Sequence, residues 1–220
     1  MSGYRLLADG ASRSFPESHA LLTQATDTGA GVIILGANAG QAFRSLQKPE
    51  QFSFVAIELG TECLGVHTGE QGGSEGSNVV GFARFRLGEA PPSNLVELVR
   101  QPGTKTEARQ GVRQAFEAAG LKVAECGDFP GRIVDRLVRP YYNAALRRLD
   151  EKLASAADLD TTLRLGLGYP EGPIALLERT GLAQHFDITQ RLYEALGDAA
   201  YAPARRARVA KERTLKQGSA

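Results

Sequence analysis

The sequence lacks the runs that would place it in a membrane: its longest apolar stretch falls far short of the roughly 18 residues that a spanning helix needs. It also lacks net charge, with 26 Lys and Arg against 25 Asp and Glu for a formal +1, so it exerts no global pull on nucleic acid or an anionic membrane. Cysteine is scarce. No secretory signal precedes Cys63 and Cys126, and both are expected as free thiols in a cytoplasmic protein. No internal repeat, low-complexity tract or metal site is expected. Only His19, His67 and His185 supply imidazole, the side chain that exchanges a proton most readily near neutral pH. What remains is 42% hydrophobic, enough for one medium core or two small ones.

Residues 1–127 read as a reduced α/β layer. Met1–Arg13 carries no period and is expected to begin the fold loosely, and Ser14–Thr28 suits a helix with Pro16 in its first turn. Gly31-Val-Ile-Ile-Leu-Gly-Ala is a β-branched run between glycines, the pattern of a buried strand, and a helix through Leu46 follows it. Phe52–Leu59, Asn78–Leu87, Leu95–Val99 and Leu121–Cys126 are further strand candidates, and Thr106–Ala119 is a helix closed by Gly120. Gly69–Ser77 is a flexible loop rich in glycine and serine. Four or five strands interleaved with helices predict a parallel or mixed Rossmann-like sheet. A dinucleotide turn needs closely spaced glycines that let the backbone approach a pyrophosphate. Here only Gly36 and Gly40 follow the strand, four apart, so an ordinary strand-to-helix turn is expected and no cofactor-binding residue is assigned.

Residues 128–220 read as helical. Asp128-Phe-Pro-Gly is a turn, and after it Ile133, Val134, Leu137, Tyr141, Ala145, Leu149 and Leu153 recur at spacings of three and four, one face of a helix. The other face is basic, with Arg132, Arg136, Arg139 and Arg147, and Pro140 predicts a kink but not a break. Ser155 and Asp158 begin a second helix that ends near Gly166. Gly166-Leu-Gly-Tyr-Pro-Glu-Gly-Pro is a shaped loop, and Pro173 suits the first turn of a short helix over Ile174–Arg179. A helix from about Gln184 to Leu196 follows, and the basic end, Arg205–Lys216, is read as a solvated helix face in preference to a phosphate contact.

In order, Asp128, Pro130, Gly131, Ile133, Val134, Arg136 and Leu137, then Ala154, Ser155, Asp158, Leu159 and Asp160, then Gly166, Gly168, Tyr169, Pro170, Gly172 and Pro173, then Gly181 and Leu182 follow one known pattern. This stretch resembles the C-terminal helical domain of the 3-hydroxyacyl-CoA dehydrogenase family. The resemblance implies an all-α domain behind the α/β layer, acyl-CoA thioester as the ligand, NAD as the cofactor by analogy only, and a homodimer or a heterodimer with a full dehydrogenase. In that family a histidine in His-Phe-Phe-Asn-Pro takes the proton from the 3-hydroxyl as hydride leaves for NAD, and the glutamate of a later Leu-Val-Glu holds the imidazole. Here Glu97 matches the glutamate, whereas Ala83 stands at the base position. Asp135 stands where the family has asparagine, and Arg132 where it has phenylalanine.

The resemblance thus makes Glu97, Ala83 and Asp135 the catalytic positions and Arg132, Asp135 and Arg136 the substrate-binding ones. A methyl group accepts no proton, and loss of a positioned base costs roughly 10²–10⁴ in rate, so weak or no dehydrogenase activity alone is expected. Taken by itself, Glu97 is an outward residue of an alternating strand and His67 a surface histidine. Two alternatives stay open: an active dehydrogenase with a displaced site built from His67 and Glu97, and a purely structural dimerisation module.

Overall fold

The computed structural model describes residues 3–217. The chain divides into two compact units, one running up to Arg86 and continuing over Pro92–Ile133, the other comprising Leu87–Pro91 and the chain from Val134 onward. Among the described residues, no helix is long and apolar enough to cross a membrane.

The first unit is a single six-stranded sheet. Its strands are β1 (Tyr4–Ala8), β2 (Gly31–Leu35), β3 (Val55–Glu58), β4 (Val79–Arg84), β5 (Leu95–Arg100) and β6 (Lys122–Gly127), which lie side by side in chain order. All neighbours are parallel except β4 and β5, which run antiparallel. β2, β3 and β4 are buried on both faces, which explains why they carry apolar residues without alternation up to Glu58 and Arg84, the last residues of β3 and β4. On one face Ile33, Ala56, Val80, Phe82 and Leu98 pack against Ala108, Val112 and Phe116 of a helix at Thr106–Ala118. On the other, Val32, Ile34, Val55, Ile57 and Val99 pack with Ala39 and Leu64.

Two expectations for the N-terminal region are corrected. Tyr4–Ala8 is not loose: it is the edge strand β1, in parallel register with all of β2. The helix expected over Ser14–Thr28 shrinks to α1 (Ala20–Thr23), because tertiary partners take its backbone groups. The Ser14 N–H donates to Glu58 and its carbonyl accepts from Arg84, the Phe15 N–H donates to Ser12 Oγ, and the Thr26 N–H donates to the Tyr4 carbonyl. The remaining helices of this unit are α2 (Ala39–Ser45), α3 (Gly65–Thr68) and α4, the helix at Thr106–Ala118.

The second unit is built from α5 (Val134–Asp150), α6 (Ala156–Leu167), α7 (Pro173–Thr180), α8 (Leu182–Leu196) and α9 (Arg205–Gln217). α5 runs through Pro140 without interruption. Proline has no N–H to offer the carbonyl four residues back, and that carbonyl, of Arg136, accepts the Tyr201 hydroxyl at 3.0 Å instead. Ser155 caps α6 as its spacing predicts, accepting from the Asp158 N–H at 3.1 Å. Gly166 lies inside α6, which ends at a left-handed Gly168, so the shaped loop is shorter than the sequence suggests. Gly88 belongs with these helices: a Cβ there would sit 1.6 Å from the Thr180 carbonyl oxygen, and its φ of +55 already suits glycine.

The buried face of α5 differs from the apolar stripe in the sequence. Leu137 is 70% exposed, whereas Arg139 is completely buried with Asn143, Tyr142 and Leu146. Arg139 donates to Asp135 Oδ1 at 2.7 Å and to His185 Nδ1 at 3.1 Å; His185 Nε2 lies 3.0 Å from Asn143 Oδ1, and Asn143 donates to the carbonyls of Ala200 and Tyr201. A hydrogen-bond network carries this stripe, so Arg139, expected on the basic face opposite the apolar one, lies on the buried side instead.

Candidate functional site

Antiparallel pairing of β4 with β5 sets Ala83 opposite Glu97. Directly opposed residues point to the same side of a sheet, so the Ala83 methyl and the Glu97 carboxylate share one face. Glu97 is not outward: it is 3% exposed. Its Oε1 accepts the Ile133 N–H at 2.8 Å, and its Oε2 lies 4.0 Å from Arg132 Nε. Arg132 precedes α5 and is not on it. Its backbone is left-handed at φ +54, its side chain is buried, and its guanidinium also donates to the Gly60 carbonyl. The turn is fixed by Asp128, whose carboxylate takes the N–H groups of Leu64 and Gly65 at 2.6 and 2.7 Å, and by the Gly131 N–H on the Thr61 carbonyl. Glu97 is thus a carboxylate held between an amide and a buried cation, with a methyl opposite it.

Asp135 and Arg136 lie in the first turn of α5. Asp135 is ion-paired to the buried Arg139.

The histidines lie elsewhere. His19 caps α1, its Nδ1 accepting from the Leu21 N–H at 3.1 Å. His67 is neither at the surface nor beside Glu97: its side chain is 10% exposed, its Nε2 lies 3.5 Å from Glu62 Oε1, and its ring packs so closely on Gly40 that a Cβ there would sit 2.1 Å from Cε1. Burial pushes the Glu62 carboxyl up, but the close approach of His67 and the bond from the Gly60 N–H outweigh it and hold the group at about 2. His185 is locked in the helical network described above. Both cysteines are free. Burial, reinforced by the Glu97 carboxylate, pushes the Cys126 thiol up to about 11, which leaves it unreactive.

The helical unit carries a cavity that the sequence did not reveal. Val138 and Tyr142 of α5, Tyr169 and Pro170 of the loop, and Pro173 and Leu176 of α7 line a largely apolar space of about 350 Å³. The Tyr141 hydroxyl, also on its wall, is buried without a hydrogen-bond partner, and burial, then the Tyr169 hydroxyl, push its pKa up to about 12. Asp160 fixes the loop by accepting the Ile174 and Ala175 N–H groups at 2.9 Å, so α6 caps α7. The only forewarning in the sequence was the crowding of Tyr169, Pro170 and Pro173. The basic end behaves as a structural face: Arg205 and Arg206 bind Asp150, Lys211 binds Asp187, and Arg208 stacks on Phe186.

A dinucleotide does not fit the first unit. The segments leaving β1 and β2 depart to opposite faces of the sheet, Phe15 and Leu21 to the α4 side and Ala39 to the other. Such a split opens the crevice in which α/β sheets hold nucleotides. Here it is stitched shut: the Asn38 N–H donates to the Asp9 carbonyl at 3.0 Å, Asn38 Nδ2 reaches Asp9 Oδ1 at 3.1 Å, and the Gly36 N–H is taken by Glu58.

Residues 131–219 match the family model described as 3-hydroxyacyl-CoA dehydrogenase, C-terminal domain. The mitochondrial hydroxyacyl-coenzyme A dehydrogenase of Homo sapiens is 39% identical over 92 residues, 42% of this chain and 29% of that protein. A 3-hydroxybutyryl-CoA dehydrogenase of Bradyrhizobium diazoefficiens is 32% identical over 117 residues, 53% of this chain and 40% of that one. The matches thus span about two fifths or less of the length of these curated relatives. The solved 3-hydroxybutyryl-CoA dehydrogenase of Escherichia coli superposes with a TM-score of 0.69 at 25% identity, covering 88% of this chain and 40% of that one. The helical part of this chain is thus similar to the C-terminal domain of the 3-hydroxyacyl-CoA dehydrogenase family, and a reduced Rossmann-like unit precedes it in the sequence.

Proposed function

We propose that this chain binds acyl-CoA thioesters of fatty-acid or aromatic-acid metabolism and performs little or no dehydrogenation alone. The observation that carries this is the cross-strand pair of Ala83 and Glu97. The base position of the family is a methyl, and the glutamate that would orient an imidazole instead holds the Ile133 amide and the Arg132 guanidinium. The apolar cavity of the helical unit offers space for an acyl chain, with the buried Tyr141 hydroxyl on its wall as an unpaired donor. Asp135 and Arg136, in the first turn of α5, are the polar positions of this unit nearest in sequence to the cavity wall at Val138 and are assigned to the thioester; Arg132, expected among them, is buried against Glu97 instead. Calorimetric titration with acetoacetyl-CoA and, separately, NADH tests this: the thioester binds and the nucleotide does not. Absence of thioester binding overturns it.

Pairing is the second part of the proposal. α6 buries none of its residues, and Leu165 at 80% and Leu167 at 62% exposure continue into Tyr169, an apolar face that suits a second copy of this chain or a full dehydrogenase. Sedimentation at micromolar concentration, alone and with such a dehydrogenase, tests it, and a monomer in both cases counts against it.

A further inference from the structure

Glu58 ends β3 and is 6% exposed. A buried carboxylate is costly unless its oxygens are hydrogen-bonded. Both are: Oε1 accepts the Ser14 N–H and Oε2 the Gly36 N–H, each at 2.7 Å. These amides come from the segments that follow β1 and β2, the two that diverge to opposite faces of the sheet. Gly36 makes the closure possible, since at φ +107 a Cβ would lie 2.2 Å from the Asp9 carbonyl oxygen. Ser14 is held a second way, its carbonyl accepting from Arg84 Nη1 at 2.9 Å.

Two convergent amides at the carboxyl end of a parallel sheet are what an oxyanion ligand takes. Here the oxyanion is part of the chain. We propose that Glu58 is the resident anion of a latent oxyanion site: its carboxylate occupies the amides of Ser14 and Gly36, closes the crevice between β1 and β2, and excludes phosphate-bearing nucleotides. A phosphate brought to this spot meets a buried negative charge, and the amides have no further hydrogen to give. The α/β unit therefore keeps its fold with no nucleotide bound. This deepens the reading that the chain does not turn over alone, and it fails separately, because thioester binding does not involve Glu58.

The test compares the full chain with Glu58→Ala in thermal melts over rising inorganic phosphate, with chloride at matched ionic strength as the control. General stabilisation by phosphate is common to both proteins. The expected result is a lower Tm for Glu58→Ala in chloride and an additional, saturable rise in phosphate that the wild type does not share. A variant as stable as the wild type, or one that phosphate raises no more than it raises the wild type, overturns the proposal. Should Glu58→Ala not fold, Glu58→Gln takes its place in the same melts: its amide group removes the buried charge and offers an acceptor to only one of the two amides, and a phosphate response no larger than that of the wild type overturns the proposal.

Discussion

Ala83 and Glu97 face one another across β4 and β5, and Glu97 accepts the Ile133 amide on Oε1 while its Oε2 lies 4.0 Å from the Arg132 guanidinium. The carboxylate has become part of the scaffold that anchors the turn before α5.

Glu97→Gln leaves the buried Arg132 cation without its counter-charge, and breaking a buried pair from one side costs about 3–5 kcal/mol. Urea denaturation of the full chain should register that loss. Replacing both partners, as Glu97→Gln with Arg132→Met, should recover most of it, because neither charge is then left unpaired.

Ala83 is 5% exposed in a packed strand. Ala83→His therefore overpacks the site and should lower stability by about 1–3 kcal/mol in the same measurement. Because the nucleotide crevice is still closed, the variant should gain no NAD-dependent oxidation.

His185 gives the helical unit a pH dependence. Arg139 can only donate, so Nδ1 accepts and Nε2 carries the proton toward Asn143. Burial, and then the Arg139 cation, lower His185 from 6.5 to about 3. The unfolded chain thus takes up a proton that the folded one refuses: stability is fully present above about 6.5 and declines as pH falls toward about 3. Melts of the wild type should show this decline, and His185→Gln, which cannot titrate, should lessen it.

Leu176 is a partly exposed wall of the cavity in the helical unit. Leu176→Trp fills that space without touching Glu97 or Arg132. Calorimetry should record at least about a tenfold loss of acetoacetyl-CoA affinity, the equivalent of 1.4 kcal/mol, with the fold unchanged by circular dichroism.

Much of this fold was legible in the sequence. Local chemistry marked β2, β4, the Ser155 cap and Pro173 at the start of α7, and the ordered matches from Asp128 to Leu182 located the helical unit. The rest depends on partners distant in sequence. The Ser14 amide and carbonyl go to Glu58 and Arg84 and the Thr26 amide to Tyr4, so a helix-compatible stretch stays irregular, and Tyr4–Ala8 becomes a strand only by pairing with β2. Arg139 read as part of a basic face opposite the apolar one because its partner His185 lies 46 residues away. Glu58 carried no motif, since its two amides come from separate loops.

The most direct test of the account is an assay of the isolated chain with 3-hydroxybutyryl-CoA and NAD, followed by the appearance of NADH. The account predicts none above the background without protein. NADH formed in proportion to the amount of chain, and abolished by Glu97→Gln at a temperature where that variant is folded, would contradict it.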